Sequence, residues 1–146
     1  CICLPGAVER YRQRISGPIM DRIDMHITVP EVDIEKLGET YTSENSQTVR
    51  TRVNKARKIQ LERFQNLEVK LFCNASMTTK QIKEFCPIDS ECKNLLTSAV
   101  QSMGLSARAY FKVIKVAQTI ADLDSSQTIK VDHIAEALQY RPKIEN

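Results

Sequence analysis

With 146 residues the chain is long enough for one domain around a single core, and 42% hydrophobic with 27% charged residues is a globular balance. No run approaches the roughly 20 apolar residues of a membrane span, so no membrane partner is expected, and a net charge of +3 is too small to imply nucleic acid by itself. Five cysteines, an odd number and widely spaced, do not make a disulfide framework and point to reduced thiols in a cytoplasmic protein.

The absence of tryptophan, with few aromatics and glycines, favours helices over a sandwich or barrel. The first residue is not Met and the opening residues read as mid-domain, so a piece of a longer protein is expected. Cys1-Ile2-Cys3 is half a zinc site at best, because structural zinc needs four ligands. Arg10, Arg12 and Arg14 then surround Tyr11, as a phosphate or DNA contact or as a solvated basic turn. Ser16-Gly17-Pro18 starts a short helix, Pro18 fitting its first position. Ile19, Met20 and Ile23 share its apolar side. The period then changes to two, with Met25, Ile27 and Val29 opposite His26 and Thr28 until Pro30, so a strand is expected after the helix. Arg22 stands between Asp21 and Asp24 at the junction. Its planar fork suits a phosphate across an interface, or it is simply paired to its acidic neighbours.

From Glu31 to Asn45 the chain is acidic and then polar, which reads as a linker. Ser46 or Thr48 then caps a helix to about Phe64, with Val49, Val53, Ala56, Ile59 or Gln60, and Phe64 at helical spacing. Its other faces carry Arg50, Arg52, Lys55, Arg57, Lys58 and Arg63 against a single acid, Glu62. Such a stripe either tracks a nucleic-acid backbone, with Arg50, Arg57 and Lys58 as contacts, or is a solvated helix face. A short helix follows from Thr78-Thr79 to near Cys86-Pro87. Asp89 caps another, with Cys92, Leu95, Leu96, Ala99, Val100 and Met103 inward and Gly104 ending it. Cys73, Cys86 and Cys92 lie in or beside apolar runs and read as packing residues. Ser106 caps a helix to about Leu123 with Ala109, Val113, Val116, Ile120 and Leu123 along its core stripe. Arg108 falls in its first turn, where the helix dipole disfavours a cation unless an anion is near. Asp132 caps the last helix, with Ile134, Ala135 and Leu138 inward and His133 a surface or packing residue.

No G-x-x-x-x-G-K-[ST] loop and no apolar strand ending in Asp-Glu occurs, and no Ser/His/Asp or Cys/His set is placed to act together. The chain by itself is therefore expected to be inert.

The string RYRQRISGPIMDRIDMHITVP, from Arg10 to Pro30, resembles the end of the AAA+ core in Mg-chelatase-like proteins of the ComM (YifB) family. Magnesium chelatase ATPase subunits and MCM helicases carry looser versions. The resemblance implies that Arg22 is an arginine finger supplied to the neighbouring subunit's nucleotide, and that Arg14 faces the nucleotide. LSARAYFKVIKVAQTIADLD is similar to a second family string, whose Ser-x-Arg is the second-sensor motif; the resemblance makes Arg108 the γ-phosphate sensor. Gln118 stands where the family usually has arginine, which puts an ionic role there in doubt. Cys1 and Cys3 match the last cysteines of a family cluster whose other members are not in this chain, so no metal site is expected here.

The fold class expected is thus mainly α: residues 1–30 as the last short helix and strand of a AAA+ core, 31–45 as linker and 46–146 as a C-terminal helical lid. The resemblance implies ATP and Mg2+ in the whole protein and none bound by this chain. It implies identical subunits in a ring, expected as a hexamer, and DNA remodelling or helicase action as the output. Two other readings stay open: a chelatase-type ATPase subunit for metal insertion, and a stand-alone helical module binding DNA or protein.

Overall fold

The computed structural model describes residues 3–12, 14, 17–31, 43–67 and 70–142. Its helices are α1 (Pro5–Arg12), α2 (Gly17–Met20), α3 (Ser46–Phe64), α4 (Thr79–Phe85), α5 (Ser90–Met103), α6 (Ala107–Leu123) and α7 (Val131–Gln139). Among the described residues a 3-10 turn, Asn74–Ser76, lies between α3 and α4.

From α3 to α6 each helix starts at a side chain that accepts one of the backbone N–H groups left over in its first turn. Thr78 does so for Gln81 at α4, in a reciprocal capping box, Asp89 for Cys92 at α5, and Ser106 for Ala109 at α6. The sequence places the cap of α3 at Ser46 or Thr48, but Asn45 fills the role, its carboxamide oxygen 2.8 Å from the Thr48 nitrogen. Asn ranks with Ser at this position, and one residue earlier satisfies the same donors. Asp132 likewise is not the cap of α7. It lies within the first turn, and the Lys130 N–H donates to His133 Nδ1 at 3.1 Å instead. Gly104 ends α5 in the left-handed conformation (φ 60°), where its N–H and that of Leu105 both return to the Val100 carbonyl.

Helix α6 is the axis of the bundle. It packs on α3, α4, α7 and the Asn74 turn, while α5 reaches the assembly through α7. Leu96, Val113 and Ile134 are fully buried where these helices meet, and removing each such side chain from water contributes about 1.5–3 kcal/mol. The stripe read along α6 holds at Ala109, Val113 and Ile120, but Leu123 is 38% exposed and Ile114, Ala117 and Ala121 are buried. With helices on several sides, the buried arc of α6 is wider than one stripe. On α3 burial starts at Ala56 and continues through Gln60 and Phe64, leaving Val49 and Val53 at 37% and 44% exposure. The periodicity identifies the apolar face of a helix, not how much of its length is covered.

The alternating segment is not a strand here. Residues 25–31 have no regular structure, and Ile27 and Val29 are 71% and 84% exposed. A strand exists only with a paired neighbour, and no other strand is found among the described residues. The predicted linker at 31–45 falls largely on residues 32–42, outside the described residues.

One ion pair organises the interior. Asp122 on α6 has no exposed surface and receives donors from three elements. Both terminal nitrogens of Arg63, from the last turn of α3, pair with its two oxygens. Asn74 Nδ2 donates to Oδ2 at 2.7 Å and Gln118 Nε2 to Oδ1 at 3.1 Å. Asn74 in turn accepts from Arg63 at 2.9 Å and donates to Thr119 Oγ1 at 3.1 Å. Arg63, read from the sequence as part of a basic outer face, therefore points inward. Gln118 serves this network by a neutral hydrogen bond. Removing one member strands a buried charge, so Asp122→Ala is expected to lose about 3–5 kcal/mol of stability in urea unfolding. The double variant Arg63→Met/Asp122→Leu is expected to recover only part of that loss, because buried Asn74 and Gln118 then lose partners.

Candidate nucleotide-facing site

Arg22 sits just past α2, where the Arg22 and Ile23 N–H groups still close onto the Ile19 and Met20 carbonyls at 2.9 and 3.2 Å. Its side chain is exposed, with Nη1 on the Pro18 carbonyl at 3.0 Å. The backbone around it is held from the other end of the chain. Ser106 Oγ, the cap of α6, donates to Asp21 at 2.8 Å while accepting from the Ala109 N–H at 3.1 Å. Lys112 Nζ donates to the Arg22 carbonyl and pairs with Asp24 at 2.7 Å. Arg141 Nη1 donates to the Ile23 carbonyl at 2.9 Å, with Nη2 3.8 Å from Asp21. The His26 N–H closes the set on the Tyr140 carbonyl at 2.8 Å. Asp21 and Asp24, which the sequence offers as partners for Arg22, instead engage α6 and Arg141.

Arg108 lies two residues beyond Ser106 and is exposed. It lines a groove of about 450 Å³ with Met77, Ile82 and Phe111 as apolar walls and Lys112 and Lys115 as further cations. Lys115 donates to the Ala75 carbonyl at 2.7 Å and Lys112 is taken by Asp24. Arg108 alone of the three makes no hydrogen bond or ion pair among the described residues. Like charges at i and i+4 repel by a few tenths of a kcal/mol, which the Asp24 carboxylate offsets at Lys112. The structure thus brings the Arg22 segment and the helix carrying Arg108 into direct contact. It does not bring the other candidates there.

Arg14 is exposed in the turn after α1, its N–H on the Tyr11 carbonyl at 3.2 Å. Arg50, Arg57 and Lys58 share the outer side of α3, a different helix. Lys58 is 3.8 Å from Glu62, Arg57 reaches Gln60 at 3.4 Å, and Arg52 forms a two-pronged pair with Glu44 at 2.8 and 3.0 Å. What sequence reasoning misses is the clamp: Ser106 reads as a helix cap and as the start of the Ser-x-Arg string, not as a partner of Asp21, and nothing local marks Lys112 or Arg141. Their partners are 85 to 120 residues away, beyond the reach of any local pattern.

Residues 43–141 match the family model described as magnesium chelatase, subunit ChlI C-terminal, and residues 1–37 match magnesium chelatase, subunit ChlI. The chain belongs to this Mg-chelatase-like family, corresponding to its C-terminal part. Among curated proteins it is 39% identical over 141 residues to competence protein ComM of Haemophilus influenzae, covering 96% of this chain and 26% of that protein. It is 38% identical over 140 residues to the uncharacterized protein YifB of Escherichia coli, covering 95% and 26%. An uncharacterized protein of Mycobacterium tuberculosis is 28% identical over 142 residues, covering 97% and 27%. The chain therefore spans 26–27% of the length of these relatives.

The cysteines divide by environment. Cys3 is exposed, Cys1 lies outside the described residues, and no group of three or more His, Cys, Asp or Glu among the described residues could hold a metal. Cys86 and Cys92 are buried, and burial pushes each thiol up to about 11. Cys73 is partly exposed, and hydrogen bonding, chiefly from the Ser76 side chain, holds its thiol below the usual range. Since the thiolate is the reactive form, Cys73 should be alkylated by iodoacetamide at neutral pH well before Cys86 and Cys92 in a Cys1→Ser/Cys3→Ser background. Peptide mass spectrometry checks the order, and Cys86 or Cys92 reacting first in folded protein would contradict it.

Proposed function

We propose that this chain is the finger-and-lid part of a ring-forming AAA+ ATPase that couples ATP hydrolysis to work on DNA. The observation that carries the reading is the clamp: the Arg22 segment is fastened to the helix bearing Arg108, so two exposed guanidinium groups belong to one folded unit. In this reading ATP lies between core and lid at the junction of two subunits. Arg22 reaches the γ-phosphate held by the neighbouring subunit and stabilises the charge that develops as the bond to the leaving oxygen lengthens. Arg108, with Lys112 and Lys115 behind it, offers positive charge that suits an anionic phosphate group, and it carries lid position with nucleotide state. The phosphate-cradling loop and the Mg2+ ligands are assigned to other parts of the whole protein, where Mg2+ would neutralise phosphate charge. DNA as the object of the work rests on the resemblance of the two strings to the ComM (YifB) family.

Assayed in the whole protein, Arg22→Ala should retain ATP binding and slow hydrolysis by about 10³-fold or more. Mixed assemblies of wild type and variant should lose activity out of proportion to the variant share. Hydrolysis at the wild-type rate would reduce the segment to a structural elbow.

The match to a chelatase subunit favours a second reading, an ATPase driving metal insertion, in which a chelatase partner subunit rather than DNA stimulates hydrolysis. DNA contact by α3 itself is tested separately. If Arg50, Arg57 and Lys58 meet phosphates, replacing all three by Ala should flatten the plot of log affinity against log salt on duplex DNA. The slope should fall by about 0.9 for each phosphate no longer neutralised. An unchanged slope would leave α3 a solvated face.

A further inference from the structure

We propose that Arg141, with Asp24 and Lys112, is a positioning device for Arg22; the proposal rests on the finger reading above. The starting observation is where the hydrogen bonds of this segment go. Arg22 follows a helix of only four residues, too short to be stable in water by itself. Beyond it the chain has no regular structure, so neither side supplies a rigid mount. The carbonyls of Arg22 and Ile23 are instead capped by Lys112 and Arg141, and the flanking carboxylates of Asp21 and Asp24 answer the same two cations. Arg141 is buried, its side chain only 4% exposed, and its Nε has no partner among the described residues. Holding a guanidinium there is costly, and among the described residues its side-chain polar contacts are the 3.8 Å approach to Asp21 and a backbone carbonyl 118 residues away. A group kept under those terms fixes a backbone position. The position it fixes is one residue from Arg22.

Placement of a charged group at a transition state is sensitive to small shifts: a displacement near 1 Å lowers rate by about 10²-fold. Freed from Arg141, the Ile23 carbonyl loses its donor and the finger its register, while Arg22 itself is intact.

The test is a double-mutant cycle in the whole protein, with ATP binding measured beside turnover. Arg141→Met should lower kcat by about 10²-fold with ATP affinity unchanged, and Arg141→Lys, which restores one donor, should recover part of it. In an Arg22→Ala background Arg141→Met should cost nothing further. Asp24→Ala, at a 58% exposed carboxylate, serves as the variant that folding cannot confound, and a smaller loss of the same non-additive kind is expected. Losses that add to that of Arg22→Ala, or wild-type turnover in both single variants, would overturn the positioning role. If Arg22→Ala itself hydrolyses ATP normally, it is the finger reading that falls.

Discussion

A carboxylate with no exposed surface is tolerable only if its lone pairs are filled, and Asp122 meets that condition with donors from Arg63, Asn74 and Gln118. Those donors come from the end of α3, from the turn after it and from α6 itself. The constraint is directional, unlike apolar packing. It sets the rotation of α3 against α6 and pins the chain between α3 and α4, where the 3-10 turn starts at Asn74. Phe64, next to Arg63, then faces the ring of Phe85 edge-on at 5.7 Å, which seats α4. The orientation of α6 follows, and with it the face that carries Arg108, Lys112 and Lys115.

That face supports the candidate site in two ways. Its cations line a groove with an apolar floor, and one of them reaches out to the backbone beside Arg22. The candidate site is therefore assembled by the helical bundle and not by local structure around Arg22. Surface ion pairs usually contribute little. Here their worth lies in geometry, since they fix the backbone on either side of Arg22.

The helices are legible in the sequence because their signals are local: capping residues, an apolar period and a glycine stop. The start of α4 at Thr78, α5 between Asp89 and Gly104, and α6 after Ser106 follow from residues within four positions of each boundary. Sequence and structure part where two residues offer the same chemistry, as Asn45 against Ser46, or where a short period means something only with a partner, as at Met25, Ile27 and Val29. Arg63 cannot be told from its basic neighbours, because its acid lies 59 residues on. The candidate arginines are legible through resemblance to known strings; spacing leaves Arg22 as an ordinary surface charge. The clamp is not legible at all, being made of common residues joined across most of the chain.

Tyr140 and Arg141 lie just after the short helix α7, and they grip residues near the opposite end of the sequence. During synthesis the segment with Arg22 leaves the ribosome long before the residues that will seat it. Local helices can form as they emerge, whereas a contact across 118 residues waits for closure of nearly the whole loop. Any chain released short of Arg141 would carry the Arg22 segment complete and still lack the donor to the Ile23 carbonyl. The backbone around Arg22 is thus seated only after Arg141 has been made.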